Sequence, residues 1–435
     1  LTMINSKTIE YYQSYYGVYL SDYVGNSKAQ DTRINYILAF IVICILLAAF
    51  AISKPIFAKT DTKDTIAQSE IQSTYDGSSY KEYIKEKYKN NIVNFPTTGV
   101  AHIKKVKYIN SKPIKINIVE LNTNTNPNLR IKPQIASTKL NSKSTIRKIA
   151  QKENATIAIN GGFFKPQTGT PLGALMIEGK VLSGPIFNRV GIAIFEQGNK
   201  TTFKLDNIDF IINAYSKNHR IKIDNINQPR MLSTHTLLYT SDWGKSSPVA
   251  PKGGYNLLIR ENRVVKLSAN PIVLEENDYV LSANKETIIK LAKDKNVYID
   301  LKLPTNLKGA KHIIGAGPYL VKDSEVFVDI KEEKLQAIGG KNPRSAIGYK
   351  KDGTFIIVTV DGREKASAGM TLFELAKLMK ELGCEQAMNF DGGSSSALYV
   401  KGKIVNSAAN KEGIAVSNAL VVSELYPDKL TLSAI

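Results

Sequence analysis

From Ile114 onward, short apolar runs alternate with turn residues in a rhythm that predicts β-strands. The runs are Ile114 to Leu121, Thr156 to Ile159, Ala174 to Leu182, Val190 to Phe195, Tyr255 to Arg260, Val297 to Leu301 and Phe355 to Val360. Glu178-Gly179-Lys180, Arg260-Glu261-Asn262-Arg263 and Lys401-Gly402-Lys403 read as hairpin turns. Helical spacing is confined to Ser144 to Lys152, Lys285 to Lys295 and, most clearly, Thr371 to Leu382. In that last segment Leu372, Leu375, Ala376, Leu378, Met379 and Leu382 share a face. Thr371 and Glu374 form a capping-box pattern before it, and Gly383 ends it. Together these elements predict an α+β protein: one large mixed-sheet domain over residues 100–435.

A different pattern precedes it. Tyr36 to Ile52 (YILAFIVICILLAAFAI) is uncharged and just long enough to cross the roughly 30 Å of bilayer hydrocarbon as a helix. It predicts a transmembrane anchor over 36–52, after an N-terminal tail of 1–35. Lys28 and Arg33 on one flank balance Lys54, Lys59 and Lys63 on the other, so flanking charge assigns no orientation. Residues 53–99 are polar and read as a tether, with one helical stretch from Ser79 to Asn90 in which Lys and Glu interleave as on a solvated helix.

Composition narrows the chemistry. The chain has 435 residues, 43% of them apolar and 22% charged, which is ordinary globular usage. Its net charge of +19 attracts an anionic partner of some kind: nucleic acid, lipid or acidic polymer. Two cysteines exclude a disulfide framework. The four histidines, His102, His219, His235 and His312, lack ligand spacing and argue against a zinc site. No Gly-x-Ser-x-Gly elbow supports a serine nucleophile.

Three loops remain as candidate chemistry. Asn160-Gly161-Gly162 ends an apolar strand, and its backbone N–H groups could form a nest for a phosphate or an oxyanion, or simply a turn. Arg344, in Asn342-Pro343-Arg344-Ser345, and Arg363, in Asp361-Gly362-Arg363, are planar donors suited to a phosphate, although Arg363 also fits a surface charge beside a turn. Asn389-Phe390-Asp391-Gly392-Gly393-Ser394-Ser395-Ser396 places an acid, two glycines and three hydroxyls at a strand end. Asp391 could equally organise its own loop as an Asx-turn. The only tryptophan, Trp243, could stack on a sugar or cover a core edge.

The strings NGGFF, NPRSAIGY and NFDGGSSSALYV, in this order and with TLFELAKLMKELGC before the last, resemble the phosphodiester glycosidase family. HIIGAGPYL at 312–320 resembles that family's glycine-rich turn, and the likeness runs from about Ile114 to Val422. One departure is Ser394, where the family commonly has a third glycine. The resemblance implies hydrolysis between a sugar's anomeric carbon and a phosphate, on envelope or exopolysaccharide glycans outside the cytoplasm. Because a phosphate monoester is a good leaving group, stabilising donors can replace much of a general acid. Asp391 is then expected to attack the anomeric carbon or activate water, with Asp361 second and Arg344 and Asn160 completing the catalytic set. Gly161, Gly162, Arg363, Asn389, Gly392, Gly393, Ser394 and Ser395 are expected to bind substrate or phosphate. No cofactor is required, and a divalent cation at Asp391 stays open. The expected partners are a phosphorylated glycan and a membrane, with no nucleic acid. A non-catalytic glycan-binding or scaffolding protein of the same fold is the alternative.

Overall fold

The computed structural model describes residues 77–425 apart from Asn199 and Lys411. The expected tail and the expected anchor at 36–52 lie outside the described residues, as does most of the expected tether. Among the described residues no helix is long and apolar enough to cross a membrane.

The α+β expectation is corrected: the protein is mostly β, with twenty-six strands and four α-helices among the described residues. The helices span Gly77–Lys87, Ile146–Lys152, Lys285–Ala292 and Leu372–Glu381. The sequence over-weights helix because caps and 3.6-residue spacing are strong local signals, and all three expected helices did form. The strands it under-weights include Arg220–Lys222, Lys200–Asn207 and Arg263–Ser268, which lie at sheet edges and alternate poorly. Nor are the sheets generally mixed. Among the described strands, Asn225–Ile226 beside Leu237–Thr240 is the one parallel pair.

The largest sheet has eight strands. Their order is Ile92–Thr97, Val100–Ile109, Lys112–Leu121, Phe355–Val360, Arg344–Tyr349, Gln386–Asn389, Tyr319–Lys322 and Glu325–Val326, all antiparallel. Phe355–Val360 is buried throughout because both faces of this sheet are covered. Ile356 and Val358 face the helices Gly77–Lys87 and Leu372–Glu381, packing with Ile84, Leu375 and Met379. Phe355 and Ile357 face inward, against Ile157 and Ile159 of a second, five-stranded sheet and Ile192 and Ile314 of a third. Helix Leu372–Glu381 carries the expected capping box at Thr371 and Glu374.

The second sheet, ordered Lys403–Ile404, Leu398–Val400, Ile157–Asn160, Asn418–Glu424 and Leu129–Ile135, is also antiparallel. The region from Ile208 to Ala310 carries two smaller sheets and the helix Lys285–Ala292, and its core is shared with Met176, Val181, Ala193 and Ile313 of the third sheet. The expected tether helix is docked, not solvated. Tyr80 and Ile84 are buried, Tyr80 Oη donates to the Glu120 carbonyl at 3.0 Å, and Lys87 pairs with the Glu120 carboxylate at 2.6 Å. Strand Ile92–Thr97 pairs with Val100–Ile109, so the boundary expected at residue 99 falls inside a hairpin.

Candidate active site

Antiparallel pairing brings the distant loops to one place. Arg344 stands opposite Val360, so the chain enters strand Arg344–Tyr349 beside the point where Phe355–Val360 leaves for Asp361. On the other side of Arg344–Tyr349, Phe390 N–H donates to the Ser345 carbonyl at 2.8 Å, which carries the chain into Asp391. Pro343 joins both turns. Gly393 N–H donates to its carbonyl at 2.9 Å, and a Cβ placed on Gly362 would come within 2.8 Å of its nitrogen. From the second sheet, the end of Ile157–Asn160 reaches the same point, with Asp391 N–H donating to the Gly161 carbonyl at 3.0 Å.

Asp391 is half-buried on the wall of a cleft of about 510 Å³ together with Lys143, Phe163, Phe164, Ser394 and Ile414. Its Oδ1 accepts from Gly392 N–H at 2.9 Å, and the Ser395 side chain also hydrogen-bonds the carboxylate. Burial beside the two phenylalanines nonetheless prevails over these bonds and pushes the carboxyl up to about 6. An acid of that strength is mostly ionised at neutral pH yet remains a usable base. The expected Asx-turn does not form, since Gly393 N–H goes to the Pro343 carbonyl, but Asp391 still bonds its own loop at Gly392 while lining the cleft.

Asn160 does not reach the cleft as a ligand. It is buried, its Oδ1 accepts from Ser345 Oγ at 2.7 Å and Ala397 N–H at 3.2 Å, and its Nδ2 donates to the Asp391 carbonyl at 2.6 Å. It is a positioning residue that ties three strand ends to the Asp391 loop. The nest expected at Gly161 and Gly162 is likewise filled from within: Gly161 N–H donates to the Asn418 carbonyl at 3.0 Å and Gly162 N–H to Asn418 Oδ1 at 2.9 Å. Asn389 holds the neighbouring turn, with Nδ2 donating to the Gly317 carbonyl at 2.8 Å.

Arg344 is 1% exposed and has no carboxylate within ion-pair distance among the described residues. Its Nε donates to the Met370 carbonyl at 2.8 Å and its Nη2 to the carbonyls of Ile338, at 2.7 Å, and Gly340. Burial first, then the nearby Arg363 charge, push it down to about 10. Arg344 is a strut under the loop, with Nη1 3.9 Å from where a Cβ on Gly392 would stand. Arg363 is exposed and better placed for an anion. Its Nε and Nη2 donate to Asn342 Oδ1 at 3.1 and 2.7 Å, and Nη2 lies 3.1 Å from the Cβ position of Gly393. Asp361 is buried, its Oδ1 accepts from Ser407 N–H at 2.9 Å, and burial raises it above the usual carboxylate range. Ser394 is exposed at the cleft, in the position of the missing glycine.

Several residues of this region gave no signal in the sequence. Lys143 comes from the loop before Ile146–Lys152 and puts a cation on the cleft wall. Asn418, which fills the Gly-Gly nest, lies 256 positions from Gly162. Glu333 is a buried carboxyl pushed up to about 7, accepting from Val190 and Tyr319 N–H at 3.1 and 2.9 Å. Arg189, which donates to the Glu333 carbonyl at 3.1 Å, stacks on Phe163 with its guanidinium carbon 5.1 Å from the ring centre. Phe163 and Phe164 stand in NGGFF, but nothing in their spacing shows that they face a cleft.

The other singled-out residues lie elsewhere. Trp243 packs against Tyr239 at 5.1 Å and covers a small core. His102 bonds Asn117 at 3.1 Å, and His312 Nδ1 accepts from Glu178 N–H at 3.2 Å. Among the described residues no three His, Cys, Asp or Glu side chains are grouped to hold a metal ion.

Residues 249–423 match the family profile described as phosphodiester glycosidase, which bears out the resemblance carried by NPRSAIGY and NFDGGSSSALYV. A curated relative, the SPbeta prophage-derived uncharacterized protein YomE of Bacillus subtilis (strain 168), is 39% identical over 121 residues. That match spans 28% of this chain and 18% of the relative. A hypothetical protein from Synechocystis superposes with a TM-score of 0.69 at 24% identity, covering 76% of this chain and 63% of that one. The Burkholderia pseudomallei K96243 protein BPSS2145 superposes with a TM-score of 0.61 at 21% identity, covering 72% of this chain and 74% of that one. At these identities the two structures show that the fold is shared.

Proposed function

We propose, from the premise that residues 249–423 carry a phosphodiester glycosidase domain, that the protein hydrolyses a glycosyl phosphodiester at the Asp391 cleft. The observation that carries this reading is the Asp391 carboxylate itself. It is held in a loop braced by Asn160 and Arg344, raised to about 6, and set on a cleft wall between aromatic rings and Lys143.

In the reaction the bond between the anomeric carbon and the phosphate oxygen breaks, and the phosphate monoester leaves with the bonding electron pair. Asp391 either attacks the anomeric carbon, forming a glycosyl ester that water then hydrolyses to free the sugar and the carboxylate, or takes a proton from the water that attacks that carbon. The phosphate carries its charge away without needing a proton, so a nearby cation lowers the barrier by electrostatic stabilisation. Lys143 on the cleft wall and Arg363 beside Gly393 are the cations placed for this. Phe163 and Phe164 offer apolar faces to a sugar ring. Asp361 lies one turn away across Pro343, as a second acid.

Envelope or exopolysaccharide glycans in an extracytoplasmic setting are the substrates that suit a chain with a net charge of +19. Non-catalytic glycan binding is the competing reading, and the internal use of the Gly161 and Gly162 N–H groups is the observation in its favour. The deciding experiment incubates the protein with a panel of sugar 1-(methyl phosphate) esters and follows release of methyl phosphate. Release that Asp391→Asn abolishes supports the enzyme. Glycan binding without turnover of any ester would sink it.

A further inference from the structure

The Asp361 turn continues into a surface that the cleft does not use. Strand Lys112–Leu121 lies beside Phe355–Val360, and Asp361 N–H prolongs that pairing by donating to the Lys115 carbonyl at 3.0 Å. Across the next ladder Val106 stands opposite Lys115, Lys104 opposite Asn117 and Tyr108 opposite Pro113, while Ile92 stands opposite Lys104. Directly paired residues share a face. Ile92, Lys104, Val106, Tyr108 and Lys115 therefore form one continuous face that runs out from Asp361.

That face is unusual in this molecule. Ile92, Val106 and Tyr108 are 65%, 55% and 69% exposed, although they stand together on a strand pair whose inner half is buried. Lys104, at one end of the apolar row, makes no ion pair among the described residues, and Lys115 reaches only the exposed Glu364, at 3.7 Å. On the opposite face of the same hairpin Ile103 is buried in the core beneath the helices, and Lys107 is paired with Glu381 at 2.7 Å. One face is finished and the other is left open.

Resting on the hydrolase reading above, we propose that this open face is a track for the remainder of an anionic, phosphodiester-linked glycan whose scissile end lies at the Asp391 cleft. Charge complementarity selects this occupant, and the Asp361 turn, which meets the Asp391 loop at Pro343, ties the face to the site. Sugar rings present apolar faces that stack on an aromatic such as Tyr108, and the phosphates between them suit Lys104 and the loosely paired Lys115. Two strand spacings put Val106 about 10 Å from Asp361, and a further pair of residues along the strand carries the face about 7 Å on to Tyr108. The track is thus long enough for more than one sugar-phosphate repeat. It makes a polymer the preferred substrate over a small glycosyl phosphate.

The test compares the full-length protein with the double variant Tyr108→Ala/Lys104→Gln, both positions being exposed. Retardation in gels containing phosphomannan, or the same mannan after removal of its phosphate, reads binding without requiring turnover. The wild type is expected to be retarded by phosphomannan and released by salt, and the variant to bind about tenfold more weakly with an unchanged melting temperature. Turnover of the short methyl phosphate esters is expected to be equal in the two proteins. Equal retardation of variant and wild type would overturn the track, as would oligo-dT binding that is as tight and as dependent on Tyr108. If no short ester is turned over while retardation still depends on Tyr108, the hydrolase reading falls and the track stands.

Discussion

The two Gly-Gly loops follow the same local grammar and end in different states. Asn160-Gly161-Gly162 and Asp391-Gly392-Gly393 each follow a short buried strand with a polar residue and two glycines. In the first, Asn418 takes both glycine N–H groups, and a Cβ on Gly161 or Gly162 would meet Asn418 Oδ1 at 2.1 Å or the Gly315 carbonyl at 2.3 Å. In the second, Gly393 has φ of +61° and the nearest atom to its Cβ position is Arg363 Nη2 at 3.1 Å, the end of an exposed side chain. The glycines of the first loop are required by packing; in the second, Gly392 sits against the Pro343 carbonyl and Gly393 beside the exposed Arg363 cation. The first loop braces the site, and the second carries the Asp391 carboxylate on the cleft wall.

The sharpest way to break this comparison is Asp391→Asn. Turnover is expected to fall about a thousandfold, the scale of losing a base or nucleophile, while the melting temperature stays level or rises. The rise follows from linkage. A carboxyl whose folded-state value is about 6 favours the fold when protonated, and loses that contribution as pH rises through about 6. The neutral amide therefore keeps what the ionised acid loses. Equal losses of stability and activity would mean that Asp391 is only a loop organiser.

Gly162→Ala should show the reverse balance, with about 3 kcal/mol of stability lost in a denaturant titration because the new methyl meets a backbone carbonyl that cannot yield. Asn418→Ala leaves the Gly162 N–H without its partner and should cost about 1 to 3 kcal/mol, again without a direct effect on chemistry. If Asn418→Ala instead raised phosphate affinity, the first loop would be a latent nest after all. Arg363→Ala is expected to lower kcat/KM about tenfold at unchanged stability, as for the loss of one charge-assisted contact. The mildest probe is pH. Turnover in the wild type should fall progressively as pH drops below about 6, because protonation removes the Asp391 base, and the Arg363→Ala profile should keep the same limb.

The legible part of this protein is the part written in local patterns. The capping box of Thr371 and Glu374, the Glu178-Gly179 turn and the buried strand Phe355–Val360 all form as their sequences predict. Asp391 was legible as the acid of a strand-end loop. The weight given to Arg344 was not sound in the same way, because a guanidinium among polar loop residues reads as a ligand grip. Burial against three backbone carbonyls turns it into a strut. Edge strand Arg263–Ser268 escapes the alternation test for a different reason: it pairs with its hairpin neighbour Gly254–Arg260, but its side chains are exposed or half-buried along its whole length.

By itself the sequence determined the periodicities, the turns, the caps and the supply of an acid, glycines and cations at strand ends, since these depend on neighbours a few residues away. Only the tertiary structure decided which of those groups face the cleft. Register across the eight-stranded sheet sets Asp361, Arg344 and Asp391 side by side, and Asn418 takes the N–H groups of one glycine pair while Asp391 Oδ1 and the Pro343 carbonyl take those of the other. The ties from Asn160 to Asp391 and from Gly162 to Asn418 join residues more than two hundred positions apart, and hydrogen-bond satisfaction in a buried site is a property of the assembled fold.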